Sequence, residues 1–165
     1  MNINVLKYLN ENLYKPHNLL ISNVEEEKQN AAYGGKTFKL NETHVRFRVA
    51  KKTPKKQGQF VAFWEKDFNN KNQPYDYSEA PELLVITLIG SPFEGQFIFP
   101  KSILKDKNIY SVADKKGKMA MRVYAPGIAL KSDQAKRTQA WQKDYFLSFE
   151  EEINSDALKR LYQQG

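Results

Sequence analysis

Residues Lys36 to Trp64 read "KTFKLNETHVRFRVAKKTPKKQGQFVAFW", and here the hydrophobic period changes from helical to two. "KTFKL" and "THVRFRVA" are strands joined by Asn41-Glu42, a hairpin-length connection. In the second strand Val45, Phe47 and Val49 face one way, and His44, Arg46, Arg48 and Ala50 face the other. "KKTPKKQG" follows as a loop, because Pro54 cannot donate to a ladder and Gly58 relaxes the backbone. "QFVAFW" resumes as a strand, so two apolar runs enclose a centre holding four lysines.

Upstream, "NINVLKYLNENLY" repeats Ile3, Leu6, Leu9 and Leu13 at helical spacing until Pro16 ends it. "EEEKQNAAYGG" predicts a second helix stopped by Gly34 and Gly35. Downstream, "ELLVITLI" is apolar throughout its middle, as a central strand covered on both faces should be. "GQFIFP" is the next strand, "KSILKDKNI" a short helix and "MAMRVYAP" a further strand. "SDQAKRTQAWQKDYFLSF" predicts a long helix capped by Ser132 or Asp133, with "SDALKRLYQQ" a terminal one. The expected fold is α/β: a mixed, mostly antiparallel central sheet flanked by helices.

A chain of 165 residues with 41% hydrophobic and 13% aromatic content fits one domain, residues 1–165, with fraying expected at the C-terminus. No cysteine is present, which excludes disulfides and cysteine-bearing zinc sites. No signal-peptide core or membrane-length apolar run is visible, so a cytoplasmic protein without a membrane partner is expected. The net charge of +7 is unevenly placed: residues 36–66 carry +7 and 101–143 carry +8, separated and flanked by net acidic segments. Two basic blocks brought to one face would make a polyanion-binding footprint; dispersed, they are ordinary solvation.

Nucleophilic catalysis finds no support: there is no cysteine, no Gly-x-Ser-x-Gly elbow, and His17 and His44 are the only histidines. No phosphate loop, dinucleotide fingerprint or His-Glu-x-x-His pair occurs, and no cofactor is implied. A divalent-metal-dependent nuclease stays open as the enzymatic alternative. Glu82 could open its first strand, and acid-x-Lys triplets occur at Glu26–Lys28 and Asp114–Lys116. The following strand carries Gln96 where that arrangement needs a carboxylate.

Basic constellations carry more. Arg46 and Arg48 share a strand face, and Lys51, Lys52, Lys55 and Lys56 crowd the loop after it. Lys115, Lys116, Lys118 and Arg122 repeat the theme around a later strand. Arginine forks and mobile lysine ammoniums suit a phosphate backbone read without regard to sequence. Trp64, Tyr75, Tyr77 and Tyr124 could stack bases or belong to the core, with core favoured for Trp64 and Trp141. Gln59, Gln96, Tyr124 and Gln139 are polar positions in apolar blocks that either line a cleft or bond internally.

Four ordered blocks, "FRVAKKTPKKQGQFVAFW", "GQFIFPKSIL", "MRVYAP" and "TQAWQKDYF", resemble those of the MepB-like proteins, small bacterial proteins named for a multidrug-efflux operon. The resemblance spans Tyr33 to Phe146, with Glu65-Lys66 and "APGIAL" as local departures. It implies a fold akin to restriction-endonuclease-like domains and no settled activity. The resulting expectation is a nucleic-acid-binding protein, for DNA or RNA without strong sequence preference, that binds without cutting. A small anionic-ligand or protein-interaction module is the further alternative.

Overall fold

The computed structural model describes residues 4–90 and 92–163. Helix α1, Val5–Leu9, is capped by the Asn4 side chain and continues through a π turn, Asn10–Tyr14, and a 3-10 turn, Lys15–His17. Leu6, Leu9 and Leu13 of the helical stripe are buried; Ile3 lies outside the described residues.

Six strands form the main sheet: β1 Ile21–Glu26, β2 Lys36–Leu40, β3 Thr43–Val49, β8 Leu83–Leu88, β9 Gly95–Pro100 and β11 Phe146–Ser148. Their spatial order is β1-β2-β3-β8-β9-β11, antiparallel except for the parallel pair β3–β8. A smaller sheet, in the order β10-β5-β4, combines β4 Lys51–Lys52, β5 Gln59–Ala62 and β10 Ala120–Val123. In the chain between β5 and β8, β6, Glu65–Lys66, and β7, Asn72–Gln73, make a short hairpin.

Strand β8 shows why the chain builds two cores. Leu83 and Val85 enter one, with Leu6, Leu9, Val45, Phe47 and Leu158. Leu84, Ile86 and Leu88 enter the other, with Val61, Phe63, Phe97, Phe99 and Val123. Alternation along a strand buried on both faces produces the uninterrupted apolar run. Burying each such side chain contributes about 1.5–3 kcal/mol. Helices α1 and α4 (Ser155–Tyr162) cover the first face. The small sheet, α2 (Lys101–Asp106) and α3 (Asp133–Gln142) cover the second, with the Trp141 ring 5.4 Å from that of Phe99.

The mixed, mostly antiparallel sheet with flanking helices agrees with the sequence expectation, and the β2–β3 hairpin turns at Asn41-Glu42. Three local expectations need correction. Residues 21–26 form an edge strand, and the predicted helix at "KQNAAY" is instead a pair of 3-10 turns kinked at Asn30, ended by Gly34 at φ 59°. The long helix, capped by Ser132, stops at Gln142, and the chain re-enters the sheet as β11. Phe146 and Leu147 pair with β9, a tertiary gain that helical spacing does not register. Lys51 and Lys52 extend into a two-residue strand rather than opening the loop directly. No helix among the described residues is long and apolar enough to cross a membrane.

Candidate functional site

Strand β3 alternates as the sequence predicts, but the face carrying Arg46 and Arg48 is roofed by the small sheet and the Tyr75 segment. Arg48 is fully buried. Its Nη1 donates to Glu27 Oε1 at 2.8 Å and to the Phe47 carbonyl at 2.9 Å. Its Nη2 donates to the Tyr75 hydroxyl at 2.8 Å and its Nε to the Ala62 carbonyl at 3.1 Å. Arg46 Nε donates to Glu27 at 3.2 Å, and its guanidinium lies 3.5 Å from the centre of the Tyr75 ring. The Tyr75 hydroxyl donates to Glu27 Oε2 at 3.1 Å. Burial raises the Glu27 carboxyl, but the Arg46 and Arg48 charges with hydrogen bonds from Arg48 and Tyr75 bring it below the usual glutamate range. Burial pushes the Tyr75 and Tyr110 hydroxyls up to about 12.

This cluster corrects the expectation that Arg46 and Arg48 face a phosphate backbone. A guanidinium removed from water needs a paired carboxylate and carbonyl acceptors, and Arg48 has both. What the cluster does instead is hold the 28–33 turns in place. Glu27 immediately precedes those turns, and Asn30 Nδ2 donates to the Trp64 carbonyl at 2.9 Å. Tyr33 is thereby seated beside β5.

The outer face of the small sheet is the complementary surface. Pairing places Lys51 of β4, Phe60 of β5 and Arg122 of β10 in one cross-strand row. Phe60 is half-buried, and its ring lies 6.2 Å from that of Tyr33. Lys51 Nζ sits 5.0 Å from the Tyr33 ring, and the Arg122 guanidinium 5.7 Å from the Phe60 ring. Two aromatic rings thus lie between two cations.

The lysine loop springs from the same row and is pinned at its base. Arg122 donates to the Gln57 carbonyl at 3.2 Å and to Thr53 Oγ1 at 2.7 Å. Gln57 bonds the Ala129 carbonyl through Nε2 at 2.7 Å and accepts from the Lys131 amide at 3.0 Å. Gly58 turns at φ +76°, where an added Cβ would fall 2.5 Å from the Tyr124 ring. Pro54, Lys55 and Lys56 are exposed between these anchors, and Lys52 is exposed at the loop's entry.

The remaining predicted residues divide. Lys118 and Arg122 border one small cavity. Lys115 and Lys116 line a different, polar cleft with Asp67, Asp76 and Asp114. Gln59 is buried on the inner side of β5, with Oε1 lacking a partner among the described residues. Gln96 belongs to a tyrosine network: Tyr162 donates to its Oε1 at 2.6 Å, and its Nε2 reaches Tyr14 at 3.3 Å and Thr87 at 3.2 Å. Gln139 bonds the carbonyls of Ala125 and Ile128. Tyr124 is half-buried and donates its amide to Gln142. Among the described residues no three His, Asp or Glu side chains converge as a cation centre, and Glu82 accepts the His44 amide at 3.4 Å. Sequence reasoning missed Glu27, Tyr33 and Phe60. Only Phe60 left a trace, as an outward apolar position opposite the inward Gln59, Val61 and Phe63.

No curated protein is similar enough to the chain to count as a match. Among solved structures, the crystal structure of MepB superposes with a TM-score of 0.79 at 38% sequence identity, covering 90% of this chain and 96% of that one. The family model described as MepB-like matches residues 27–148, from the carboxylate of the buried cluster to the last residue of the main sheet. The ordered blocks around the lysine loop, β9, β10 and α3 all fall inside that match, and the chain belongs to the MepB-like family.

Proposed function

We propose that the protein binds nucleic acid without strong sequence preference, on the outer face of the small sheet. One observation supports this beyond net charge: the row Lys51–Phe60–Arg122, with Tyr33 beside it and Lys52, Lys55 and Lys56 at the adjoining loop. Lysine ammoniums neutralise phosphates, and half-exposed rings offer stacking surfaces to any base. Arg122 orders the loop while keeping its charge at the surface. No base-reading fork is part of this reading, so the expected recognition is of backbone and ring stacking. The kinship with restriction-endonuclease-like domains belongs to the same proposal, since that architecture commonly handles DNA or RNA. Cleavage is not part of it: Gln96 is held among tyrosines, and Glu82 stands at the opposite end of β8 from the basic row.

Fluorescence anisotropy with labelled single-stranded DNA, double-stranded DNA and RNA across a salt series tests the reading. Affinity should fall as salt rises and drop in the Lys51→Ala/Lys55→Ala/Lys56→Ala protein. Absence of binding at low salt, or binding indifferent to the triple substitution, would overturn it.

A further inference from the structure

The 28–33 turns have a second side. Tyr33 faces the basic row, while Ala31, Ala32 and Gly34 wall an open cleft of about 580 Å³ on the α1 side of the main sheet. Phe47 and Val49 of β3 and Ile89, just after β8, also line it, with Val5 and Leu6 opposite. It therefore lies at the carboxyl ends of the parallel pair β3–β8. Lys36 and Lys51 border this cleft, with Glu26 the acidic residue on its lining. Val5 and Ile89 also line a second cavity of about 200 Å³, whose other walls include Tyr8, Leu9, Leu88 and Phe149. Glu94 lies there too, but its carboxylate is engaged by the Gly90 amide at 2.6 Å. Val5 and Ile89 are thus common to the walls of two neighbouring cavities, one with ammonium groups on its wall, the other chiefly apolar.

We infer that this double cavity is a binding site for an amphipathic monoanion, an aliphatic chain ending in a carboxylate. The head group lies against Lys36 and Lys51, and the chain passes between Val5 and Ile89 into the smaller, apolar cavity. The volume falls in the range of small-molecule sites, and a mostly apolar lining with few convergent polar groups is their usual composition. Charge selects the head: two ammoniums against one carboxylate favour an anion over a cation or neutral end group. A second copy of the chain or an extended peptide would leave the inner cavity unfilled. The cleft shares Lys51 with the basic row, so the two readings are told apart at Lys36, which borders the cleft and is not part of the row.

Isothermal titration calorimetry of the whole chain with decanoate, below its micelle concentration, tests the inference, with butyrate as the short-chain comparison. Decanoate should bind once per chain, and butyrate at least tenfold more weakly. Lys36→Met should weaken decanoate tenfold or more by removing one head-group ammonium, with a much smaller change in DNA affinity because Lys36 is outside the basic row. Ala32→Trp, at an exposed wall position, should block the cleft while thermal unfolding stays near that of the parent. No binding heat, butyrate binding equal to decanoate, or decanoate binding unaltered in both variants would overturn the site.

Discussion

Arg48 and Lys51 are near neighbours in the chain, yet one cation is sealed inside and the other stands in solvent. Arg48 lies on a strand face that a second sheet covers, so its charge is matched by Glu27 and by backbone carbonyls. Lys51 lies on the outer side of that second sheet, where its ammonium meets a Tyr33 ring and water. Charge in a basic run therefore says little until the layer above each strand is known. The buried pair shapes the platform, and the exposed row stands where a partner can reach it.

The largest expected effect comes from breaking the buried side. Arg48→Ala leaves Glu27 with Arg46 and Tyr75 alone, takes the donor from the Phe47 and Ala62 carbonyls and opens a cavity, and should cost about 2–5 kcal/mol of stability, read by urea unfolding. A loss under about 1 kcal/mol would show that the cluster does not hold the platform. The matching change outside should behave in the opposite way. The Lys51→Ala/Lys55→Ala/Lys56→Ala protein should keep its stability within about 0.5 kcal/mol, since exposed positions carry little. Its salt slope for single-stranded DNA should be shallower by about 2, at roughly 0.7 for each phosphate no longer neutralised.

Two smaller effects sharpen the contrast. Phe60→Ala should weaken single-stranded DNA binding by about 1–3 kcal/mol and duplex binding by less, because paired bases offer no free ring face. Equal losses on both would remove stacking from the account. The second concerns pH. The folded-state Glu27 pKa is depressed, so its stabilisation is present above the ordinary glutamate value and is lost as pH falls through the folded one. Thermal unfolding between about pH 6 and pH 3 should show that acid loss in the parent and a flatter profile in Glu27→Gln.

Much of this fold was legible in the sequence. Period two marked β2, β3 and β5, and the unbroken apolar run of β8 announced a strand covered on both faces. Strand β11 was hidden because Phe146 and Leu147 continue a helical spacing, and only pairing with β9 makes them a strand. At the site, the exposed lysines were legible because solvent is their default. The fate of Arg46 and Arg48 was not, since it depends on Glu27 and Tyr75, which lie far from them in the chain. The Tyr33–Phe60 pair was equally out of reach, as it exists only once Asn30 fastens the 28–33 turns to the Trp64 carbonyl, just beyond β5.

The central claim is that the outer face of the small sheet, and not the whole basic surface, meets nucleic acid. An amide chemical-shift map of the isotopically labelled chain, titrated with a short single-stranded oligonucleotide, tests it most directly. The account predicts shifts gathered on Lys51, Lys55, Lys56, Phe60 and Arg122. Shifts gathered instead at Lys115 and Lys116, or spread evenly over exposed lysines, would contradict it.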